Sequence, residues 1–263
     1  MSLIAWYKLD GNALDSSGNS WNGTASNMTW GSGKIGQCGV FNGSNSLITT
    51  SSLDLQGDIS LSAWFYSLGR AGTQGIVSNH QHSQTANFTM SINSSNVIYV
   101  HMGYTDGTRS AGVNAVGTIP LNIWNHAVFT YSHESKRCRL YINGNLNNEV
   151  TLVKTVKFLP STFVIGRWAP SYSDYYFNGS IDDVRIYDHA LSPKEVKELA
   201  KAKILHYKFD DFQEPTTNEY AYPNFNTSGS NGGWSHWGRT GHQGTYGQNT
   251  DPQYIYGNQI YSH

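Results

Sequence analysis

Apolar and polar residues alternate in short runs along most of the chain. In Ile59-Ser60-Leu61-Ser62-Ala63-Trp64-Phe65-Tyr66, the side chains of Ile59, Leu61, Ala63 and Phe65 fall on one face of a strand. Residues 96–101, 127–131 and 163–166 read as further strands. Gly, Asn and Ser interrupt the pattern about every ten residues. Residues 139–146 contain Asn143-Gly144, a pair whose tolerance of positive φ predicts a tight hairpin. Helix grammar occurs at Ser192-Pro193-Lys194-Glu195, a capping box with proline at the first helical position, followed by Val196, Leu199 and Ala200 on one side. Many short strands and one late helix predict an all-β fold, a two-sheet antiparallel jelly-roll sandwich. Trp64 and Trp124, both within strands, are expected in its core.

The chain divides after the helix. Ile204-Leu205-His206-Tyr207-Lys208-Phe209-Asp210 echoes Ile4-Ala5-Trp6-Tyr7-Lys8-Leu9-Asp10, with Tyr, Lys and Asp repeated at the same offset. Residues 1–203 are read as one domain. Residues 204–263 are read as the start of a second β-rich module or a docking segment, incomplete if the natural chain continues. A small, glycine-rich core of that length is at most marginal, and its aromatic, sparsely charged character predicts assembly into a homo-oligomer.

Composition narrows the function. Charged residues make up only 13% of the 263 residues, about half of the usual share, so Asn, Ser, Thr and Gly must carry solubility. A net charge of −1 supplies no field for nucleic acid or an anionic membrane. No apolar run approaches the 18 residues or so that a membrane span needs. Residues 1–10 lack a basic start followed by a long apolar run, so no signal peptide is expected. Cys38 and Cys138 read as two buried thiols, with a single bridge between sheets as the alternative.

Several blocks in order carry a resemblance. They are residues 6–19 (Trp6-Tyr7-Lys8-Leu9-Asp10 onward), Gly33-Lys34-Ile35-Gly36-Gln37 with residues 40–44, and Ser60-Leu61-Ser62-Ala63-Trp64. Residues 124–131, 140–144 and 178–187 with Ala190-Leu191-Ser192 complete the set. Residues 1–200 resemble the laminin-G-like, concanavalin A-like jelly-roll modules of bacteria and phages. That fold hosts sugar binders, adhesins, spacers and enzymes, so it does not fix function. Residues 214–219, Pro223-Asn224-Phe225 and Gly233-Trp234 resemble a module start in phage tail, neck and fibre proteins. The resemblance implies a virion appendage or decoration protein assembled in the host cytoplasm. A bacterial surface adhesin or carbohydrate-binding module, and an accessory domain of a polysaccharide-degrading enzyme, are the alternatives.

Candidate chemistry is sparse. Hydrolases on this sandwich usually draw two acids from one strand, and none of the six Glu is followed by Asp two positions later. Asp182 and Asp183 are adjacent, so a regular strand would point them to opposite faces. There is no Gly-x-Ser-x-Gly elbow. The chain is therefore read as non-catalytic. Asp10, Asp15, Ser16, Ser17 and Asn19 lie within ten residues, an oxygen-rich loop of the kind Ca²⁺ requires. In laminin-G-like modules the first strand often lies beside the last, and a structural calcium is often held there. The resemblance thus implies one Ca²⁺ on Asp10, Asp15 and one of Asp182 and Asp183, against the alternative that these side chains make turn hydrogen bonds. His80-Gln81-His82 offers two imidazoles but no third ligand.

A saccharide presents apolar CH faces ringed by hydroxyls, so its site combines aromatic faces with polar donors and acceptors. Arg167, Trp168, Tyr172, Asp174, Tyr175 and Tyr176 supply both kinds between two strands. Tyr99, His101, Tyr104, Asp106 and Arg109 form a second candidate. The competing reading packs these aromatics on a sheet edge or a neighbouring subunit. The expected partners are a cell-surface polysaccharide, other virion proteins, or both. The expected location is a virion surface, with an extracellular or cell-surface location as the alternative.

Overall fold

The computed structural model describes residues 2–69, 71–79, 88–104, 112–156, 160–168, 175–201, 254–256 and 259–261. Among them, fifteen strands form two antiparallel sheets. Sheet A has the order β13 (Asn145–Thr151), β12 (Arg137–Ile142), β11 (Trp124–Ser132), β6 (Ile59–Ser67), β15 (Asn178–Tyr187), β4 (Gln37–Asn42) and β3 (Thr29–Ser32). The first strand, β1 (Leu3–Tyr7), also pairs with β15. Sheet B has the order β10 (Val113–Asn114), β9 (Ile98–Met102), β8 (Phe88–Ile92), β7 (Gln74–Ser78), β14 (Ser161–Ile165), β5 (Leu47–Leu53) and β2 (Gly23–Ser26). The chain crosses repeatedly between the sheets, as a jelly roll does.

The core lies between the two inner faces. Ile59, Leu61, Ala63 and Phe65 of β6 and Ala127, Phe129 and Tyr131 of β11 meet Phe88, Met90 and Ile92 of β8 and Ile98 and Val100 of β9. At roughly 2 kcal/mol for each large apolar side chain buried, this interface supports the fold without a bridge. Cys38 and Cys138 are both buried and free. Asn143 and Gly144 take positive φ (50° and 81°) and close the β12–β13 hairpin.

Helix α1 (Pro193–Ala200) begins as its sequence dictates. Glu195 N donates to Ser192 Oγ at 3.3 Å, and Ser192 N donates to the Glu195 carboxylate at 2.7 Å. Its Val196 packs with Leu191 on Val128 and Tyr141, on the outward face of sheet A. Chain contacts divide the molecule into Met1–His206 and Tyr207–His263. In the second unit, Tyr254–Tyr256 and Gln259–Tyr261 pair as an antiparallel hairpin, β16–β17. The resemblances read in residues 204–253 lie outside the described residues.

Of the two strand tryptophans expected in the core, Trp64 is buried and Trp124 only half-buried, and neither lies between the sheets. Trp64 and Trp124 sit out of phase with the inward residues of β6 and β11 and face outward. Trp64 is nonetheless only 5% exposed, stacked on His126 with ring centres 4.7 Å apart. Trp124 is half-buried, edge-on to Tyr66 across the ladder. The period of two, rather than side-chain size, decided their side.

Candidate functional site

On sheet B, the inward positions Phe88, Met90 and Ile92 leave Thr89 and Ser91 on the outward face. Across the ladder, Ser91 stands between Tyr99 and Gly75, and Thr89 between His101 and Ser78. A register shift in β7 turns both Ile76 and Val77 inward and keeps Gly75 and Ser78 outward. These small residues form a floor, with the Thr89 and Ser91 hydroxyls 2.8 Å apart.

Two aromatic groups flank that floor. On one side, Tyr99 and His101 are half-buried, with ring centres 4.8 Å apart. On the other, the chain after β14 crosses over β7 as a narrow ribbon. The Tyr175 carbonyl accepts from both Gly75 N (3.2 Å) and Trp168 N (3.1 Å), and Ser78 Oγ donates to the Arg167 carbonyl at 3.0 Å. A Cβ at Gly75 would overlap the Trp168 backbone nitrogen, so only glycine lets the ribbon lie this close. Trp168 meets Tyr175 edge-on at 4.7 Å, and the Arg167 guanidinium lies 4.7 Å from the centre of the Tyr176 ring.

Four of the predicted sugar-contact residues, Arg167, Trp168, Tyr175 and Tyr176, are therefore brought together, all half-buried. Tyr172 and Asp174 lie outside the described residues, as do Asp106, Arg109 and His80-Gln81-His82. Tyr99 and His101 share the sheet face of the first group. Tyr104 does not: it is 7% exposed and belongs to the inter-sheet core, bridged to Val156. The floor residues Gly75, Ser78, Thr89 and Ser91 were missed in the sequence, although the alternation of Phe88, Met90 and Ile92 marks two of them.

The aspartates occupy a corner of sheet A. Pairing of β1 with β15 brings Asp10, Asp182 and Asp183 around one cavity of about 210 Å³, with Trp6, Lys8 and Arg185. The expectation that Asp182 and Asp183 point to opposite faces fails here. A register shift in β15, with Asp183 at φ 49°, turns both toward the same cavity. Asp183 Oδ1 accepts from Trp6 Nε1 (2.6 Å) and from the Arg185 guanidinium (3.0 and 3.1 Å). Asp10 Oδ1 accepts from Gln37 N and Asp182 Oδ2 from Ile35 N, so the two carboxylates anchor the 33–36 loop. A Cβ at Gly33 or Gly36 would overlap those same oxygens, which explains the glycines at both ends of Gly33-Lys34-Ile35-Gly36.

Asp15 stands apart. Its carboxylate accepts from Trp6 N, Ser17 N, Ser17 Oγ and Trp21 N, and these donors outweigh burial to hold it below the usual carboxylate range. It organises a turn and does not line the cavity. Among the described residues, no three Asp, Glu, His or Cys side chains gather closely enough to hold a metal. One oxygen does suit a cation: Asp182 Oδ1 is buried and has no hydrogen-bond partner. Burial, with the charges of Asp183 and Asp10, pushes Asp182 up to about 7.

A buried polar row continues inward from this corner. Asp182 and His126 both pair across the ladders with Trp64, and His126 Nε2 lies 2.8 Å from Ser62 Oγ. His126 Nδ1 has no partner, so no carboxylate orients the ring as a serine–histidine nucleophile would require. Burial, then the charge of Arg185, lowers His126 to about 3.

Comparison with known proteins agrees with this architecture. Residues 41–197, more than half of the chain, match the Laminin_G_3 family, described as the concanavalin A-like lectin/glucanases superfamily. Domain 4 of AbnA, a GH43 extracellular arabinanase from Geobacillus stearothermophilus solved with arabinotriose, superposes with a TM-score of 0.61 at 25% identity. That match covers 76% of this chain and 98% of that domain. The binding domain of Paraclostridial Mosquitocidal Protein 1 (TM-score 0.63, 20% identity, 76% and 52% of the two chains) shares the fold. So does the binding domain of botulinum neurotoxin serotype G (0.62, 17%, 76% and 51%). A Rattus norvegicus protein, "Sushi, von Willebrand factor type A, EGF and pentraxin domain-containing protein 1", is 30% identical over 87 residues. That stretch is 30% of this chain, and the chain spans about 2% of the rat protein's length. With its jelly-roll topology and a match over most of the sandwich, the chain belongs to the concanavalin A-like lectin/glucanases superfamily.

Proposed function

We propose that the chain is a non-catalytic glycan-binding module whose site is the outward face of sheet B. The observation that carries this reading is the Arg167–Trp168 and Tyr175–Tyr176 ribbon laid on Gly75 beside a hydroxyl floor. Aromatic rings offer stacking surface to a sugar's CH face, while Arg167 and His101 offer polar groups beside them, above the buried hydroxyls of Thr89 and Ser91. The arabinotriose in the similar arabinanase domain supports a saccharide as the ligand class. Calorimetric titration with host polysaccharides tests it. Trp168→Ala and Tyr175→Ala should each weaken binding roughly tenfold or more, with melting temperatures close to that of the parent. Silence of the parent protein across such glycans would favour a bridging role between protein subunits.

Two finer assignments belong to the same proposal. The reading of the chain as a phage virion appendage rests on the phage-like blocks in residues 214–234, and the homo-oligomer on the aromatic, sparsely charged character of residues 204–263. Portal, capsid or tail genes beside its coding sequence are the expected context, and a cell-wall anchoring context would favour an adhesin. The Asp182 corner is assigned one structural Ca²⁺, supported by the orphaned Asp182 Oδ1 and by Asp10 in the same cavity wall. When bound, the ion would neutralise the buried carboxylate. Calcium should raise the melting temperature over chelator, and Asp182→Asn should abolish the difference.

A further inference from the structure

Helix α1 and the β12–β13 hairpin enclose a cleft of about 520 Å³ on the outward face of sheet A, away from the aspartate corner. Six of its side chains define its chemistry: Arg139, Tyr141, Asn145, Leu146, Glu149 and Lys197. Tyr141 is 2% exposed, with its ring held under α1 by Val128 and Val196. Its hydroxyl is buried beside the Arg139 guanidinium without a hydrogen bond of good geometry. A buried hydroxyl so poorly matched is a cost that a ligand atom would reduce. Arg139 and Lys197 line the cleft with a single carboxylate, Glu149, which Arg139 bonds and Arg137 also engages at 3.5 Å. Positive charge is therefore in excess. Leu146 adds an apolar contact at the rim, 54% exposed.

We infer that this cleft is a second ligand site, taking a carboxylate-bearing sugar residue such as a uronate. The carboxylate pairs with Lys197 and the outer guanidinium edge of Arg139, where charge-assisted hydrogen bonds are strongest. A ring hydroxyl meets Tyr141 Oη, Asn145 and Glu149 serve neighbouring hydroxyls, and Leu146 covers a CH face. An inorganic anion would use the cations but neither the apolar rim nor the hydroxyl acceptors. The inference rests on the glycan-binding reading only for the class of ligand, since the residues are separate.

Isothermal titration of the full 263-residue chain with tetragalacturonate, against neutral maltotetraose, tests it at low salt. The expected result is binding of the acidic oligosaccharide that the cleft variants weaken, whatever the neutral sugar does at sheet B. Tyr141→Phe and Lys197→Gln should each weaken it by about tenfold, and Trp168→Ala should leave it unchanged. Tyr141→Phe keeps the ring under the helix, and Lys197 is exposed, so unfolding would not confuse the result. No binding of the acidic oligosaccharide, or indifference of its binding to Tyr141→Phe and Lys197→Gln, overturns the cleft site. Loss with Trp168→Ala while the cleft variants still bind also overturns it and returns the ligand to sheet B. Retained cleft binding with no effect of Trp168→Ala on any glycan leaves the cleft standing and removes the sheet B reading instead.

Discussion

On the outward face of sheet A the chain covers its own polar groups. On sheet B it lays aromatics across a floor of hydroxyls. Sheet A is roofed by α1 over Val128 and Tyr141, and its Ser62, Trp64, His126 and Asp182 are all buried. Two cationic side chains, Lys8 and Arg185, lie over Trp6, and Lys34 lies over Trp64. On sheet B, Arg167, Trp168, Tyr175, Tyr176, Tyr99 and His101 all keep partial exposure. Around Asp182 and His126, sheet A turns its polar groups inward, whereas sheet B keeps its aromatics where a ligand can reach, above a buried layer of hydroxyls. The same fold thus separates a buried polar row from an aromatic recognition surface, and each can be perturbed alone.

The largest effect expected concerns pH and belongs to sheet A. His126 has a folded pKa of about 3, below its ordinary 6.5, so its contribution is complete above 6.5 and is lost as pH falls toward 3. Asp182, raised from 3.8 to about 7, behaves oppositely: its contribution is complete below 3.8 and is lost as pH rises through 7. Between about pH 4.5 and 6.5 the two slopes, each about 1.4 kcal/mol per pH unit, oppose one another. The parent protein should therefore hold a nearly level stability there. Asp182→Asn should expose the histidine slope and lose about 2 kcal/mol as the pH falls from 6.5 to 4.5. Urea unfolding across the range, in chelator, checks this. A level profile in the variant would mean that His126 is not held neutral.

Sheet B should answer to Gly75. Gly75→Ala places a methyl group against the Trp168 and Arg167 backbone, which cannot rotate away as a side-chain end can. An overpacking cost of about 1–3 kcal/mol is expected, together with loss of glycan binding as the ribbon lifts. Denaturant midpoint and calorimetric affinity should fall together. Unchanged affinity would mean that the ribbon's seat on β7 does not shape the site.

The sequence made the sandwich legible because alternation survives in β6, β11 and β14 and the capping box of α1 is complete. The aromatic cluster was legible too, since Arg167, Trp168, Tyr175 and Tyr176 crowd one connection. Less visible was anything that depends on a break in the ladder. The shift in β7 turned Val77 inward and kept Gly75 and Ser78 outward, and the shift in β15 put Asp182 and Asp183 on one cavity. A period of two carries no mark of where an extra residue enters. Trp124 shows a different failure: a place within a strand suggested the core, while its parity against Ala127, Phe129 and Tyr131 already put it on the outward face, where it is half-buried.

The smallest effect expected lies at the roof of sheet A. Ser192→Ala removes the hydroxyl that accepts from Glu195 N and donates to the Glu195 carboxylate, while the Ser192 backbone N–H keeps its bond to that carboxylate. Loss of a cap of this kind costs about 1 kcal/mol. In a helix of eight residues, with Val196 as its buried anchor, that cost falls largely on local opening. Amide exchange in residues 193–200 should therefore quicken by about fivefold, with little change in global midpoint. Because Lys197 rides on this helix and Tyr141 lies under it, any affinity measured at the cleft should weaken in step, while the Trp168 surface stays as it was. Equal weakening at both places would show that the two outward faces are coupled through the core, and the separation argued from their packing would then fail.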